Sequence, residues 1–135
     1  MTIHPVITTA TADAEREIEA FANRPGGSMI VVPYGLTIAE RATITAPAAR
    51  HRLPAVYGAD AFISVGGLLS YAPDTDDLAR QIARYADRIL KGAKPADLPV
   101  QTPTKFRLVI NARTAKALAL TIPPALLASA DVVIE

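Results

Sequence analysis

The sequence predicts an α/β protein built as a three-layer parallel sheet with helices on both faces. Short apolar runs without alternation, such as Leu53–Tyr57 and Leu68–Tyr71, are typical of strands that are buried on both sides. Segments with apolar residues at helical spacing separate these runs. Strand and helix alternate through four units, and such repeats fold into parallel sheets with helices packed on them.

The composition indicates one globular domain. The chain has 135 residues, 50% of them hydrophobic and 20% charged, with a net charge of +1. We expect a single lobe over 1–135, with a core over about 1–93 and a C-terminal extension over about 94–135. The small net charge provides no strong field for nucleic acid or an anionic membrane, so nucleic acid is not an expected partner. The absence of cysteine excludes disulfides and thiolate chemistry.

No membrane or targeting segment is recognisable in the sequence. No apolar run approaches the ~20 residues that a membrane span needs. The N-terminus, MTIHPVITTA, lacks the basic segment and long apolar run of a signal peptide. We therefore expect a cytoplasmic protein if Met1 is the natural start.

The first part of the chain contains three predicted strands around two helices. The strands are Pro5–Thr9, Met29–Val32 and Leu53–Tyr57. Thr11 or Asp13 is predicted to cap the first helix. Its apolar stripe consists of Ala14, Ile18, Phe21 and Ala22.

The second helix is predicted from capping chemistry. Thr37 and Glu40 have the Thr-x-x-Glu spacing of a capping box. Pro47 is expected to kink this helix or to end it early. The residues predicted to face the sheet are Ile38, Ala42, Ala46 and Ala49. Further on, Asp60–Val65 is predicted as a short helix that Gly66-Gly67 ends.

The second part of the chain contains the most amphipathic helix. Asp74 is its predicted cap, and Gly92 lies just past its end. Its apolar face consists of Leu78, Ile82, Tyr85, Ala86, Ile89 and Leu90. Lys105–Ile110 alternates between apolar and charged residues, which predicts a half-exposed strand at a sheet edge. The remaining predicted elements are helices at Thr114–Leu120 and Pro123–Ala128 and an apolar run at Val132–Ile134.

The candidate site lies at the predicted strand ends. Ligands of parallel α/β sheets bind beyond the carboxyl ends of the strands, which here are Tyr57–Asp60 and Tyr71–Asp74. Tyr34, Tyr57 and Tyr71 all fall at such ends. Aromatic rings with a hydroxyl suit a pocket for a small organic ligand, and rim packing between helix and sheet is the alternative interpretation.

The motifs of catalysis and cofactor binding are absent from the sequence. Both glycine pairs, Gly26-Gly27 and Gly66-Gly67, precede strands, so neither forms a phosphate-binding turn. No Gly-x-Ser-x-Gly elbow occurs. His4 and His51 have no carboxylate at metal-ligand spacing, and Asp74–Asp77 is better explained as a helix cap than as a cation site. We predict no catalytic residue, no metal and no cofactor.

Three segments of the sequence resemble one known family. They are RHRLPAVYG, GGLLSYAPD and ILKGAKPADLPVQTPTKFRLVINARTAKALALTIPPALLASADVVIE. They are similar to the C-terminal part of ABC-transporter substrate-binding proteins of the tryptophan-binding, TrpX-like group. The stretch Lys91–Pro124 is the most specific part, and the resemblance extends more weakly back to about Ala14. It covers most of this chain and about the second half of a usual family member.

This resemblance implies a fold and a mode of action. Family members have a type I periplasmic-binding-protein fold, in which a hinge joins two α/β lobes and a small solute, often an amino acid, is held between them. The loaded receptor docks on an ABC permease, and the chemistry is binding and hinge closure without catalysis. The resemblance places this chain as one lobe, with the N-terminal lobe missing, of a periplasmic or membrane-anchored extracytoplasmic receptor.

The resemblance also implies a set of ligand-binding residues. The matched segments are Pro33-Tyr34-Gly35, Tyr57-Gly58-Ala59-Asp60 and Ser70-Tyr71-Ala72. The predicted ligand-binding residues are Tyr34, Gly35, Tyr57, Gly58, Asp60, Ser70 and Tyr71.

Two functions from different classes remain open on the sequence alone. The first is the C-terminal lobe of a solute-binding component of an ABC import system. The second is a free-standing cytoplasmic α/β module that dimerises and binds a ligand or a partner. A lone lobe would leave its cleft and hinge faces uncovered, so we expect self-association, as a homodimer, through the rim or the tail.

Overall fold

The structure, a computed structural model, describes residues 3–6, 10–24 and 26–135. The strands are β1 (Met29–Val31), β2 (Ala55–Tyr57), β3 (Leu69–Pro73), β4 (Phe106–Asn111) and β5 (Val132–Ile134). The helices are α1 (Thr11–Ala22), α2 (Gly35–Ala39), α3 (Arg41–Arg50), α4 (Thr75–Leu90), α5 (Ala112–Ala117) and α6 (Pro124–Ala128). Short 3-10 helices occur at Asp60–Val65 and Pro95–Asp97. The predicted α/β class is confirmed.

The strands form one five-stranded sheet in the order β1-β2-β3-β4-β5. β1, β2 and β3 are parallel, as predicted, but β4 runs antiparallel to β3, and β5 is parallel to β4. The prediction that Lys105–Ile110 is an edge strand is therefore wrong. Its alternating pattern arises because only its first residues reach the rim of the sheet, while Leu108, Val109 and Ile110 are buried.

The N-terminal part of the structure agrees only partly with the elements predicted from the sequence. The predicted strand Pro5–Thr9 falls largely outside the described residues, which leave out 7–9. α1 buries Ile18 of its predicted stripe. Its N-cap is Ala10, which makes no side-chain capping bond, so the prediction of Thr11 or Asp13 as the cap is wrong. Asp13 lies instead in the first turn, where an acidic side chain suits the helix dipole.

The helix after β1 begins earlier than predicted. Tyr34 is the N-cap of α2, and Thr37 lies inside its first turn. Thr37 Oγ1 accepts the Tyr34 N–H at 2.9 Å and donates to the Val32 carbonyl at 3.0 Å. The prediction that Thr37 begins a capping box with Glu40 is therefore wrong, because Thr37 closes back on the turn before the helix.

The break in this helical region lies at Glu40, not at Pro47. Glu40 has φ −97° and ψ 24°, which separates α2 from α3, and α3 then continues through Pro47 to Arg50. The predicted sheet-facing set is wrong beyond Ile38, because Ala42, Ala46 and Ala49 are exposed in α3. The residues that α3 buries are Ile44, Thr45, Pro47 and Ala48.

The main core lies between one face of the sheet and the helices α1 and α3. Its buried members are Ile18, Val31, Ile44, Leu53, Ala55, Tyr57 and Phe62. Tyr57 and Phe62 stack with their ring centroids 4.7 Å apart. A Cβ on Gly67 would lie 2.8 Å from the Phe62 carbonyl oxygen, so the turn after the 3-10 helix needs glycine at this position.

The long helix α4 begins as predicted but packs differently. Asp74 accepts hydrogen bonds from the backbone N–H groups of Asp76 and Asp77, which confirms it as the cap. α4 has no buried residue, however, and Ile82 is 62% exposed. The predicted apolar face of α4 is therefore not buried within the described part of this lobe. In the described part of the chain, none of the helices has both the length and the apolar character to cross a membrane.

Candidate functional site

Four strands bring their ends to one edge of the sheet. β1, β2 and β3 are parallel, so their carboxyl ends lie together, and the antiparallel β4 brings its first residues to the same place. We call this the carboxyl edge, formed by residues 32–35, 58–60, 72–74 and 105–107. Ligands of open α/β sheets bind at such an edge.

The turns after β1 and β2 are packed tightly against each other. The Gly58 N–H donates to the Val31 carbonyl at 3.0 Å. A Cβ on Gly58 would lie 2.5 Å from Pro33 Cδ, so only glycine fits beside this proline. Tyr34 follows directly and is 46% exposed. The predicted residues Tyr34, Gly35 and Gly58 are therefore brought together at the carboxyl edge.

A buried hydroxyl orients the acidic group of the edge. Ser70 Oγ donates to Asp60 Oδ1 at 2.6 Å, and Ser70 is fully buried. The other carboxylate oxygen, Oδ2, lies 3.8 Å from a guanidinium nitrogen of Arg107. The side chains of Asp60 and Arg107 are 39% and 34% exposed. The structure thus joins two predicted site residues, Asp60 and Ser70, to a cation that lies on β4.

A second acid–base pair lies beside the first. The Asp74 N–H donates to the Lys105 carbonyl at 2.9 Å, and the Asp74 carboxylate lies 3.3 Å from Lys105 Nζ. The backbone N–H of Asp77 lowers the pKa of the Asp74 carboxyl, and the hydrogen bond and charge of Lys105 lower it further, while burial opposes them. Asp74 is therefore held as a carboxylate at neutral pH.

The register divides the predicted residues between the two faces of the sheet. Tyr57 is paired with Ser70, and Ser70 with Val109, so Arg107, two residues from Val109, shares their face. Tyr71 is on the opposite face, where its ring stacks on Phe106 with centroids 5.3 Å apart. Tyr71 therefore lies behind the cluster of Asp60 and Ser70.

Tyr57 belongs to the core. It is 1% exposed, and burial raises the pKa of its hydroxyl, while contact with the Thr45 hydroxyl partly offsets that rise. Its ring stacks on Phe62, which belongs to the 3-10 helix that begins at Asp60. A solute at the carboxyl edge would touch that turn before it reached the ring.

Sequence reasoning missed Arg107 and Lys105 as members of this edge. Their alternation with Phe106 predicts the exposed side of an edge strand. The signal that would place them at the site is the antiparallel pairing of β4 with β3, which sets Arg107 opposite Ala72. Such long-range pairing is not encoded in the local pattern of residues.

Comparison with known proteins identifies the family of this chain. The family described as ABC transporter substrate binding protein matches residues 1–134. The chain belongs to this family. No match is found among curated proteins.

Solved structures of similar proteins share the fold. A conserved domain protein from Vibrio cholerae is 26% identical with a TM-score of 0.83, over 93% of this chain and 42% of its own. An ABC domain from Streptococcus pneumoniae in complex with L-Trp is 32% identical with a TM-score of 0.81, over 94% of this chain and 43% of its own. A ligand-free, open substrate-binding protein with adhesive properties from Clostridium difficile is 18% identical with a TM-score of 0.67, over 94% and 42%. This chain spans less than half the length of each of these structures.

Proposed function

We propose that this chain is the C-terminal lobe of the solute-binding component of an ABC import system. It binds a small organic solute, such as an amino acid, at the carboxyl edge and catalyses no reaction. The observation that carries this proposal is the family match over residues 1–134, with 32% identity to a domain that holds L-Trp. A first lobe would complete the cleft, because the matched structures are more than twice as long as the part that this chain covers.

The predicted residues take different parts in this proposal. Tyr34, Gly35, Gly58 and Asp60 line the side of the edge that a solute reaches, because they stand on the turns beyond β1 and β2. Tyr57 and Ser70 support those turns from the interior. Tyr71 flanks the site on the opposite face of the sheet.

The partner and location follow from the same assignment. A receptor of an ABC importer delivers its solute to a membrane permease, so the complete protein works outside the cytoplasm. The mechanism then consists of solute binding and closure of the two lobes around the solute. The permease recognises the closed conformation that the hinge motion produces.

A titration of the chain with L-Trp tests this function. We expect weak binding, because one lobe supplies only part of the contacts. The amide NMR signals of residues 33–35 and 58–60 should shift with added L-Trp, and Tyr34→Ala should weaken the effect. Ser64→Ala is the matched control, because Ser64 is an exposed residue of the 3-10 helix whose hydroxyl donates to the Ala61 carbonyl. Unchanged edge signals in the wild-type chain would contradict the proposal.

A second function has its own supporting observation. The face of the sheet opposite the main core exposes apolar side chains at Ile30, Val56, Tyr71 and Phe106. Such a surface favours a free-standing dimeric α/β module that covers it with a second copy. Light scattering coupled to size-exclusion chromatography tests this alternative. A monomer at high protein concentration contradicts it, and a dimer whose formation Ile30→Lys abolishes supports it.

A further inference from the structure

We propose that Arg107 is the residue that selects solutes bearing a carboxylate, by exchanging its contact with Asp60 for the carboxylate of the solute. This inference rests on the proposed function and deepens it, because it names the chemical class of the solute and the residue that recognises it. Three features of the carboxyl edge support the exchange.

The guanidinium of Arg107 is not engaged by hydrogen bonds. Its contact with Asp60 is 3.8 Å long, which is beyond hydrogen-bond distance, and its side chain is 34% exposed. Within residues 3–6, 10–24 and 26–135, no hydrogen bond from this side chain is formed. Its donors are therefore available to a ligand that reaches the edge.

Asp60 remains satisfied when Arg107 turns to a ligand. The carboxylate accepts the Ser70 hydroxyl at 2.6 Å, and this bond comes from a fully buried residue of β3. Asp60 is thus fixed by the interior of the lobe and not by Arg107. A half-exposed ion pair at 3.8 Å contributes little to stability, so releasing it costs little.

In the neighbouring pair of Asp74 and Lys105, the carboxylate is likewise held by other groups and does not depend on the cation. Asp74 accepts the backbone N–H groups of Asp76 and Asp77 at 3.0 Å each, so its charge is satisfied without Lys105. Lys105 immediately precedes β4, two residues before Arg107, and both residues lie at the carboxyl edge. Arg107 is the better carboxylate ligand of the two, because its planar fork forms two parallel hydrogen bonds with a carboxylate.

The test compares three ligands that share an indole ring. L-Trp carries a carboxylate and an ammonium group, indole-3-propionate only the carboxylate, and tryptamine only the ammonium group. In NMR titrations of the wild-type chain, both carboxylate ligands should bind about tenfold or more tightly than tryptamine. Arg107→Gln should remove that preference and Arg107→Lys should retain part of it. Arg88→Gln is the control: it removes the same charge at the far end of α4 and should keep the full preference for carboxylate ligands.

A variant with exchanged charges distinguishes two roles of Arg107, recognition of the solute carboxylate and a purely structural contact with Asp60. The double variant Asp60→Arg with Arg107→Asp keeps an ion pair across the edge. Recognition predicts that this variant loses the preference for carboxylate ligands by the same tenfold. Its melting temperature should fall as that of Ser70→Ala does, because residue 60 no longer accepts the Ser70 hydroxyl. If Arg107 has only the structural role, the double variant should bind the three ligands as the wild type does, and that result would overturn the inference.

The remaining outcomes distinguish the inference from the function on which it rests. If the wild-type chain binds all three ligands with equal affinity, Arg107 does not select the carboxylate, but the solute-binding function stands. The same conclusion follows if Arg107→Gln keeps the carboxylate preference as Arg88→Gln does. Edge signals that shift with none of the ligands contradict both.

Discussion

The hydroxyl of Ser70 donates a 2.6 Å hydrogen bond to Oδ1 of Asp60 and so ties β3 to the 3-10 helix that follows β2. Ser70 is fully buried, whereas the Asp60 side chain is partly exposed. An interior residue therefore sets the direction of a carboxylate at the carboxyl edge. This single contact links the stability of the lobe to the geometry of its candidate site.

Replacing Ser70 by Ala should destabilise the lobe. Loss of a hydrogen bond to a charged acceptor costs about 1.5–3 kcal/mol. Urea denaturation followed by circular dichroism measures the free energy of unfolding. Ser64→Ala removes a hydroxyl from an exposed position of the neighbouring 3-10 helix and should change that free energy by less than about 0.5 kcal/mol. Equal effects of the two variants would show that the Ser70–Asp60 bond contributes nothing.

The sequence predicted this region well because its signals are local. Asp60–Val65 has the predicted bounds, and Gly66 ends it with a positive φ of +97°. The buried runs before and after it form β2 and β3. The residues alone predict Asp60 at the end of a strand, whereas Ser70 is predicted within a strand and joins the predicted site only through the family resemblance.

Other parts of the fold depend on contacts between distant residues. The antiparallel pairing of β4 with β3 brings Arg107 to the carboxyl edge, and no local pattern encodes it. The apolar stripe of α4 is genuine in the sequence, yet nothing in the described part of the lobe buries it. Tyr71 is predicted at a strand end but lies in the middle of β3, and strand register puts it on the opposite face from Ser70.

Asp74 should make the stability of the lobe depend on acidic pH. Its pKa is lower in the folded chain than in the unfolded one, chiefly through the Asp77 N–H and then through Lys105. The stabilisation is therefore present above the unfolded pKa of about 4 and is lost as the pH falls through the folded value. Asp74→Asn should melt below the wild type at pH 7, and this difference should shrink below pH ~4. Asp87→Asn, at an exposed position of α4, should follow the wild type at each pH.

Tyr57 should affect stability at the alkaline end instead. Burial raises the pKa of its hydroxyl in the folded chain. Between the unfolded pKa near 10 and the raised folded value, the unfolded state binds fewer protons, so stability falls as the pH rises. Tyr57→Phe cannot ionise and should lose less stability than the wild type above pH ~10, as measured by melting temperature. Tyr71→Phe, at an exposed position, should lose as much as the wild type, and a Tyr57→Phe variant that does the same would contradict this role.

Ile82 should tolerate a charge although it belongs to an apolar stripe. It is 62% exposed on α4, so Ile82→Lys should change the free energy of unfolding by less than about 0.5 kcal/mol. Phe62→Ala, at a fully buried core position, should cost about 3–5 kcal/mol. Urea denaturation at low protein concentration compares them. A large loss with Ile82→Lys would show that this face of α4 is covered in solution.

The two glycines of the predicted site should respond in opposite ways to the same substitution. A Cβ on Gly58 would lie 2.5 Å from Pro33 Cδ and 3.5 Å from the Val31 carbonyl oxygen, so Gly58→Ala must push apart the turns after β1 and β2. Overpacking of this kind costs about 1–3 kcal/mol. A Cβ on Gly35 meets no atom within 4 Å, and Gly35 begins α2.

Gly35→Ala should therefore be neutral or should stabilise the lobe by up to about 1 kcal/mol, since alanine loses less backbone entropy on folding. Urea denaturation measures both variants. NMR titration with L-Trp then measures the affinity of each variant. Gly58→Ala should weaken binding, because it displaces the turn that carries Tyr34. If Gly58→Ala keeps the wild-type affinity, the solute does not contact the turns after β1 and β2, and the site must lie elsewhere on this lobe.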